Sequence, residues 1–153
     1  MSKEKITDVD FEPLREPWNK YSLRDGSSIK ARLILRRVIL KETRKLDGSI
    51  GEKNYGIDTQ TITVAYNVPE ELKGQPSELL LPPPELQAGI VENDIHYDTL
   101  AQEWNEYIAD DGTKIKLQLT VVKVSRTKFT DKFGNPVYFI ESSTTINIAH
   151  KKP

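Results

Sequence analysis

The feature that most restricts this chain is a 31-residue stretch that occurs twice. Residues 8–38 and 94–124 align at a constant offset of 86 without a gap, with eleven identical positions. The identities are Asp8/Asp94, Leu14/Leu100, Trp18/Trp104, Asn19/Asn105, Tyr21/Tyr107, Asp25/Asp111, Gly26/Gly112, Ile29/Ile115, Lys30/Lys116, Leu33/Leu119 and Val38/Val124. Both tryptophans of the chain fall in one slot of this pattern. Such self-similarity predicts an internal duplication, with copies at 8–67 and 94–150 and a linker at 68–91. A unit of about 55 residues buries too little apolar surface to be robust alone. The two copies are therefore expected to share one interior within a single domain, 1–153.

Local patterning reads as strand. Val9 and Phe11 alternate with acidic residues, as do Ile95 and Tyr97. Pro13 and Pro17 argue against a helix before Trp18, and by the repeat against one before Trp104. Asp25-Gly26 and Asp111-Gly112 predict two-residue type I′ hairpin turns. In the strand that follows, Ile29, Ala31, Leu33 and Leu35 face one way, and Ile115, Leu117, Leu119 and Val121 do so in the second copy. After Leu35 and after Val121 the apolar parity switches. Period-two alternation changes parity only at a bulge, a bend or a doubly buried stretch. The switch predicts a strand passing between opposed sheets of a sandwich or barrel. A third strand is expected from about Tyr55 to Tyr66 and from about Val137 to Ala149. Offsets of 83 and 84 within it predict a bulge in one copy.

The linker carries Pro69 and Gly74 around a possible helical turn, then Leu79-Leu80-Leu81-Pro82-Pro83-Pro84. Three prolines predict an extended strap that lays its leucines on the core. A polyproline ligand is the rival reading, disfavoured by the flanking Glu78 and Glu85. Residues 1–7 and the tail from His150 read as frayed ends.

The fold class that follows is all-β: a pseudo-twofold barrel or sandwich of two three-to-four-stranded meanders joined by a Pro-rich strap.

Chemistry is sparsely signalled. Charges nearly balance, at 22 basic and 23 acidic residues, which argues against a protein that coats DNA. There is no cysteine, so disulfides, thiolate metal sites and cysteine nucleophiles are excluded. No apolar run reaches the ~18 residues of a membrane span, and a soluble cytoplasmic protein is expected. Asp94, His96 and Asp98 could line one strand face as metal ligands, but the first copy has Asp8, Asp10 and Glu12 there. No nucleophile elbow, Walker loop or dinucleotide fingerprint occurs. No catalytic, metal or cofactor residue is assigned; whether the chain is an enzyme is left open by the sequence, which leans against it.

The sharpest charge signal is seven basic residues within positions 30–45: Lys30, Arg32, Arg36, Arg37, Lys41, Arg44 and Lys45. With Trp18 and Trp104 as stacking platforms they could bind single-stranded nucleic acid. They could equally pair with the acidic strap at Glu70, Glu71, Glu78 and Glu85. The alternative for the aromatics, Tyr21 and Tyr107 included, is to plug the two ends of a core. Asn19 and Asn105 are expected to bond backbone at the entry to their hairpins. The main functional expectation is a non-catalytic interaction module that binds protein or itself, because long hairpins offer edges for strand pairing. A nucleic-acid binder is the alternative, and an enzyme with a site between the copies, using His96, the second.

Overall fold

A computed structural model describes residues 3–149. The first half holds β1 (Lys3–Val9), β2 (Phe11–Arg15), β3 (Asn19–Leu23), β4 (Ser28–Arg44) and β5 (Ile50–Tyr66). The second holds β6 (Ile90–Glu92), β7 (Tyr97–Ala101), β8 (Asn105–Ala109), β9 (Lys114–Thr130) and β10 (Pro136–Ala149). A 3-10 turn, Glu70–Leu72, and one helix, α1 (Pro83–Ala88), lie between them. The bounds of β7, β8 and β9 are those of β2, β3 and β4 displaced by the same 86 positions as the sequence repeat. Residues 3–7, expected to fray, belong to β1 and pair with the far end of β4. His150 lies outside the described residues.

Ten strands form two antiparallel five-stranded sheets, which do not close into a barrel among the described residues. Nor are the halves independent meanders. In the first sheet β1, β3 and β5 flank β4, but the strand beyond β3 is β7 of the second half. In the second sheet β6, β8 and β10 flank β9, and the strand beyond β8 is β2 of the first half. Each half thus lends one strand to the other's sheet. The crossings are pinned alike: Asp110 N donates to Asp10 O, and Arg24 N donates to His96 O, both at 2.9 Å. Pro13 is tolerated in β2 because β2 is an edge strand.

Burial follows the alternation. Ile29, Ala31, Leu33 and Leu35 of β4 and Ile115, Leu117, Leu119 and Val121 of β9 are buried in one cluster drawn from both halves. Each such Leu or Ile contributes about 1.5–3 kcal/mol by leaving water. The parity switch is a bulge in each long strand. Leu35 opposes Thr59 and Arg37 opposes Asp58, so Arg36 is the extra residue. Val121 opposes Ser142 and Lys123 opposes Glu141, so Val122 is its counterpart. Beyond each bulge the inward set resumes with Val38 and Val124, both buried. The strand stays in its own sheet, however. What changes on one edge of β4 is the partner, from β3 to β1. Measured on the ladders, the offset from β5 to β10 is 83 from Tyr55/Tyr138 onward: Val64 faces Lys30 as Asn147 faces Lys116. The irregularity sits in both halves rather than in one.

The Asp-Gly turns are not type I′. Gly26 and Gly112 have φ of 96° and 86°, but neither aspartate has positive φ. Leu23 N donates to Ser27 O and Ala109 N to Thr113 O, each at 2.8 Å, closing three-residue loops with the glycine in the left-handed region. Asp25 Oδ1 and Asp111 Oδ1 each accept the N–H two residues on, at 2.9 Å.

The strap departs from expectation. Its extension ends at Pro82, and Pro83 and Pro84 begin α1, since a helix's first turn has no use for the missing N–H. Leu79 and Leu80 point outward, Leu80 being 97% exposed, instead of lying on the core. The strap is tied to the tip of the β9–β10 hairpin through Gly74 N to Gly134 O and Ser77 N to Asp131 O, both 2.9 Å. A Cβ on Gly134 would come within 2.5 Å of Gly74 O, so glycine is required there for contact as well as for its φ of 81°.

Candidate functional site

Asn19 and Asn105 sit where β3 and β8 begin, and both are buried. They do not serve their own hairpins. Asn19 Nδ2 donates to Leu119 O at 3.3 Å, and Asn105 Nδ2 donates to Leu33 O at 2.6 Å. Each asparagine therefore binds the long strand of the opposite half, at equivalent carbonyls. The tyrosines two residues on are interior, Tyr21 fully and Tyr107 to within 1%. Tyr107 Oη donates to Glu16 at 2.8 Å and accepts from Asn105 at 3.0 Å and from Leu35 N–H at 3.3 Å. Burial, opposed by the Asn105 bond and reinforced by Glu16, pushes its pKa to about 12. Tyr21 donates to Gln102, the counterpart of Glu16, at 3.3 Å. Edge-to-face rings complete the pattern, Phe11 on Tyr107 and Tyr97 on Tyr21, with centroids 5.8 and 5.7 Å apart. These buried polar groups are bonded across the halves and so hold the fold together.

The tryptophans, unlike the tyrosines, stand outside this core. Lys30 Nζ lies 4.7 Å and Arg32 Cζ 5.7 Å from the Trp18 ring centre. Trp104 is 36% exposed, and no cation among the described residues lies over it. Of the seven basic residues singled out above, Arg32 pairs with Glu16 at 3.4 Å, Arg36 with Asp58 and Arg37 with Asp8, both at 3.7 Å. Lys41, Arg44 and Lys45 continue along β4 toward the hairpin tip, without an ion pair among the described residues. The acidic strap takes none of these partners; Glu70 pairs with Lys73 beside it at 2.9 Å. The structure therefore gathers Lys30, Arg32 and Trp18, spreads the other cations along an arm, and leaves Trp104 in the opposite half. His96 is exposed at the crossing into β7, 3.7 Å from Asp98. Among the described residues no three side chains form a metal-binding group. No helix among them is long and apolar enough to cross a membrane.

What topology leaves open is backbone. Among the described residues β5 pairs with β4 alone and β10 with β9 alone, so each presents a row of N–H and C=O groups with no strand beside it there. The run Thr59-Gln60-Thr61-Ile62-Thr63-Val64-Ala65-Tyr66 of β5 carries no charge. Neither does its counterpart in β10, Ser142-Ser143-Thr144-Thr145-Ile146-Asn147-Ile148-Ala149. In a chain with 29% charged residues these are two uncharged octets at equivalent positions. Lysine, proline and bulges on the strand, the usual guards of a sheet edge, are missing from both. Beside the β5 edge lies an apolar groove of about 620 Å³, walled by Leu79, Leu80, Leu86, Phe129 and Phe133 and reaching Thr63–Ala65. Sequence patterning points to strand pairing in general terms, but it does not single out these octets. An uncharged run is visible in the sequence, yet its edge position depends on pairings with β4 and β9.

Comparison with protein-family models, with curated proteins and with solved structures finds no match to this chain.

Proposed function

We propose that this chain is a non-catalytic interaction module that takes up extended polypeptide by strand addition at its open sheet edges. The observation that carries the reading is the pair of unpaired, charge-free octets in β5 and β10. Main-chain hydrogen bonds to such an edge supply affinity, and adjoining pockets for alternate side chains supply selectivity. The groove beside Thr63–Ala65 is placed to be one such pocket. We further propose that the two halves descend from one duplicated unit and form a single domain. The sequence repeat, the matching strand bounds and the reciprocal asparagine bonds support this.

The test is selection of short displayed peptides on the purified chain. The reading expects enrichment of β-branched, extended sequences whose binding is lost when Ile62 and Val64 are replaced by lysine. No enriched peptide, together with no self-association, contradicts it.

A single-stranded nucleic-acid binder is a second reading, favoured by the cations over Trp18. The carboxylates paired with Arg32, Arg36 and Arg37 weigh against it. A flat anisotropy titration against oligonucleotides at low salt removes it.

A further inference from the structure

We propose that the strand received by the β5 edge is β5 of a second copy, paired antiparallel about Thr63; this rests on the strand-pairing reading above. Three observations favour that occupant. The first is charge. In a twofold-symmetric pairing a strand meets itself, so a charge near the axis would face a second one nearby. Residues 59–66 avoid this by carrying none, and the charge that ends the run, Asp58, is held by Arg36.

The second is register. An axis perpendicular to the sheet pairs residues on the same face, so partners share parity. Ile62 and Val64 lie on the outer face opposite Arg32 and Lys30, and are 38% and 39% exposed. Centring the pair on Thr63 sets Ile62 of each copy against Val64 of the other. Thr61 then meets Ala65, and Gln60 meets Tyr66. Moving the centre to Ile62 sets Val64 against Gln60 and brings Asp58 against Tyr66. Centring on Val64 instead sets Val64 against itself and Ile62 against Tyr66, but it pushes Thr59, Gln60 and Thr61 past the end of the strand. The Thr63 register is therefore the one that matches Ile62 with Val64 and pairs the most residues of the octet without a charge. It also sets Thr61–Thr63 of the second copy along Thr63–Ala65, at the mouth of the apolar groove.

The third is the contrast with β10. At the positions equivalent to Ile62 and Val64, β10 carries Thr145 and Asn147. Its outer face has no apolar pair to match, so the two edges are not interchangeable.

Sedimentation velocity over a concentration series tests this. The wild-type chain should form a reversible dimer. Replacing Ile62 and Val64 together by lysine sets like charges across the axis and should weaken the dimer by more than about tenfold. Ile62→Glu with Val64→Lys sets unlike charges in the same places and should restore a salt-sensitive dimer. Thr145→Lys with Asn147→Lys on β10 should leave the dimer unchanged. Far-ultraviolet circular dichroism of each variant separates lost pairing from lost fold. A wild type monomeric at every concentration overturns the inference, as does failure of the Glu/Lys variant to recover, or dissociation by the β10 variant alone. A monomer that still binds selected peptides through β5 sinks this inference and leaves the strand-pairing reading standing. Loss of both sinks both.

Discussion

The two Asp-Gly turns share a local sequence pattern and end in different surroundings. Asp25 is 4% exposed at its side chain, bonded by Arg126 at 3.1 Å and by Tyr138 Oη at 2.7 Å. Ser27 Oγ lies 2.9 Å from the same hydroxyl, and Glu92 holds Arg126 at 2.6 Å. At the other end Asp111 is exposed, bonded to Tyr55, with Thr113 Oγ1 3.2 Å from that tyrosine. Tyr55 and Tyr138 are equivalent residues, so the frame of the contact is common to both ends. The additions are Arg126, where the first half has Leu40, Glu92 of β6, and the strap, whose Pro69 closes over Gly26. Among the described residues the strap covers the Asp25 end and not the Asp111 end. The same aspartate is a buried anchor at the first and an exposed cap at the second. Cover from a distant segment, more than local pattern, decides what the turn contributes.

That contrast is most sharply broken by truncating the two aspartates in parallel. Asp25→Ala removes an acceptor shared by Arg126 and Tyr138 in a covered site, leaving them Glu92 and Ser27, and is expected to cost about 2–3 kcal/mol by denaturant unfolding. Asp111→Ala, relieved by solvent, should cost about 1 kcal/mol. Equal losses would remove the distinction. The asparagines give a difference of the same kind. Asn105→Ala leaves the Leu33 carbonyl unsatisfied and removes a donor from Tyr107, and should cost about 2–3 kcal/mol. Asn19→Ala loses one longer bond and should cost about 1 kcal/mol.

The smallest effect is in pH. Burial raises the pKa of Tyr107 to about 12 and raises that of Tyr138 as well, from an unfolded value of 10.0. A raised folded pKa means the folded chain holds its proton more tightly. The stabilisation is therefore complete below about pH 10 and is lost as pH rises toward the folded values. Thermal melts should fall above about pH 10, by roughly 1 kcal/mol near pH 11 from Tyr107 alone. Tyr107→Phe should flatten part of that decline.

Much of this architecture is legible in the residues, for a physical reason. β4 and β9 bury one face, so alternation and its parity break are written at Leu35–Val38 and Val121–Val124. The strand exchange is not legible. Phe11 and Tyr97 satisfy period two in either sheet, and nothing local says that β2 pairs with β8 rather than with β3. The turn type is not legible because Asp-Gly serves both the two-residue loop and the three-residue loop with a left-handed glycine. The proline run reads as extended throughout, whereas proline at the first helical positions is compatible with a helix. The basic run from Lys30 to Lys45 stands out in sequence because its carboxylate partners lie outside the run, Asp8 and Asp58 on neighbouring strands and Glu16 in the loop after β2. The open edges are the converse. Their lack of charge is visible, but an edge exists only once every strand's partners are known.

Strands exchanged between the halves should bind them into a single cooperative unit. One tryptophan reports on each half, so the direct measurement is equilibrium unfolding of Trp18→Phe and Trp104→Phe followed by the fluorescence of the remaining ring. Coincident midpoints and equal denaturant slopes are predicted for the two variants. Two separate transitions, with one half unfolding while the other stays intact, would contradict it.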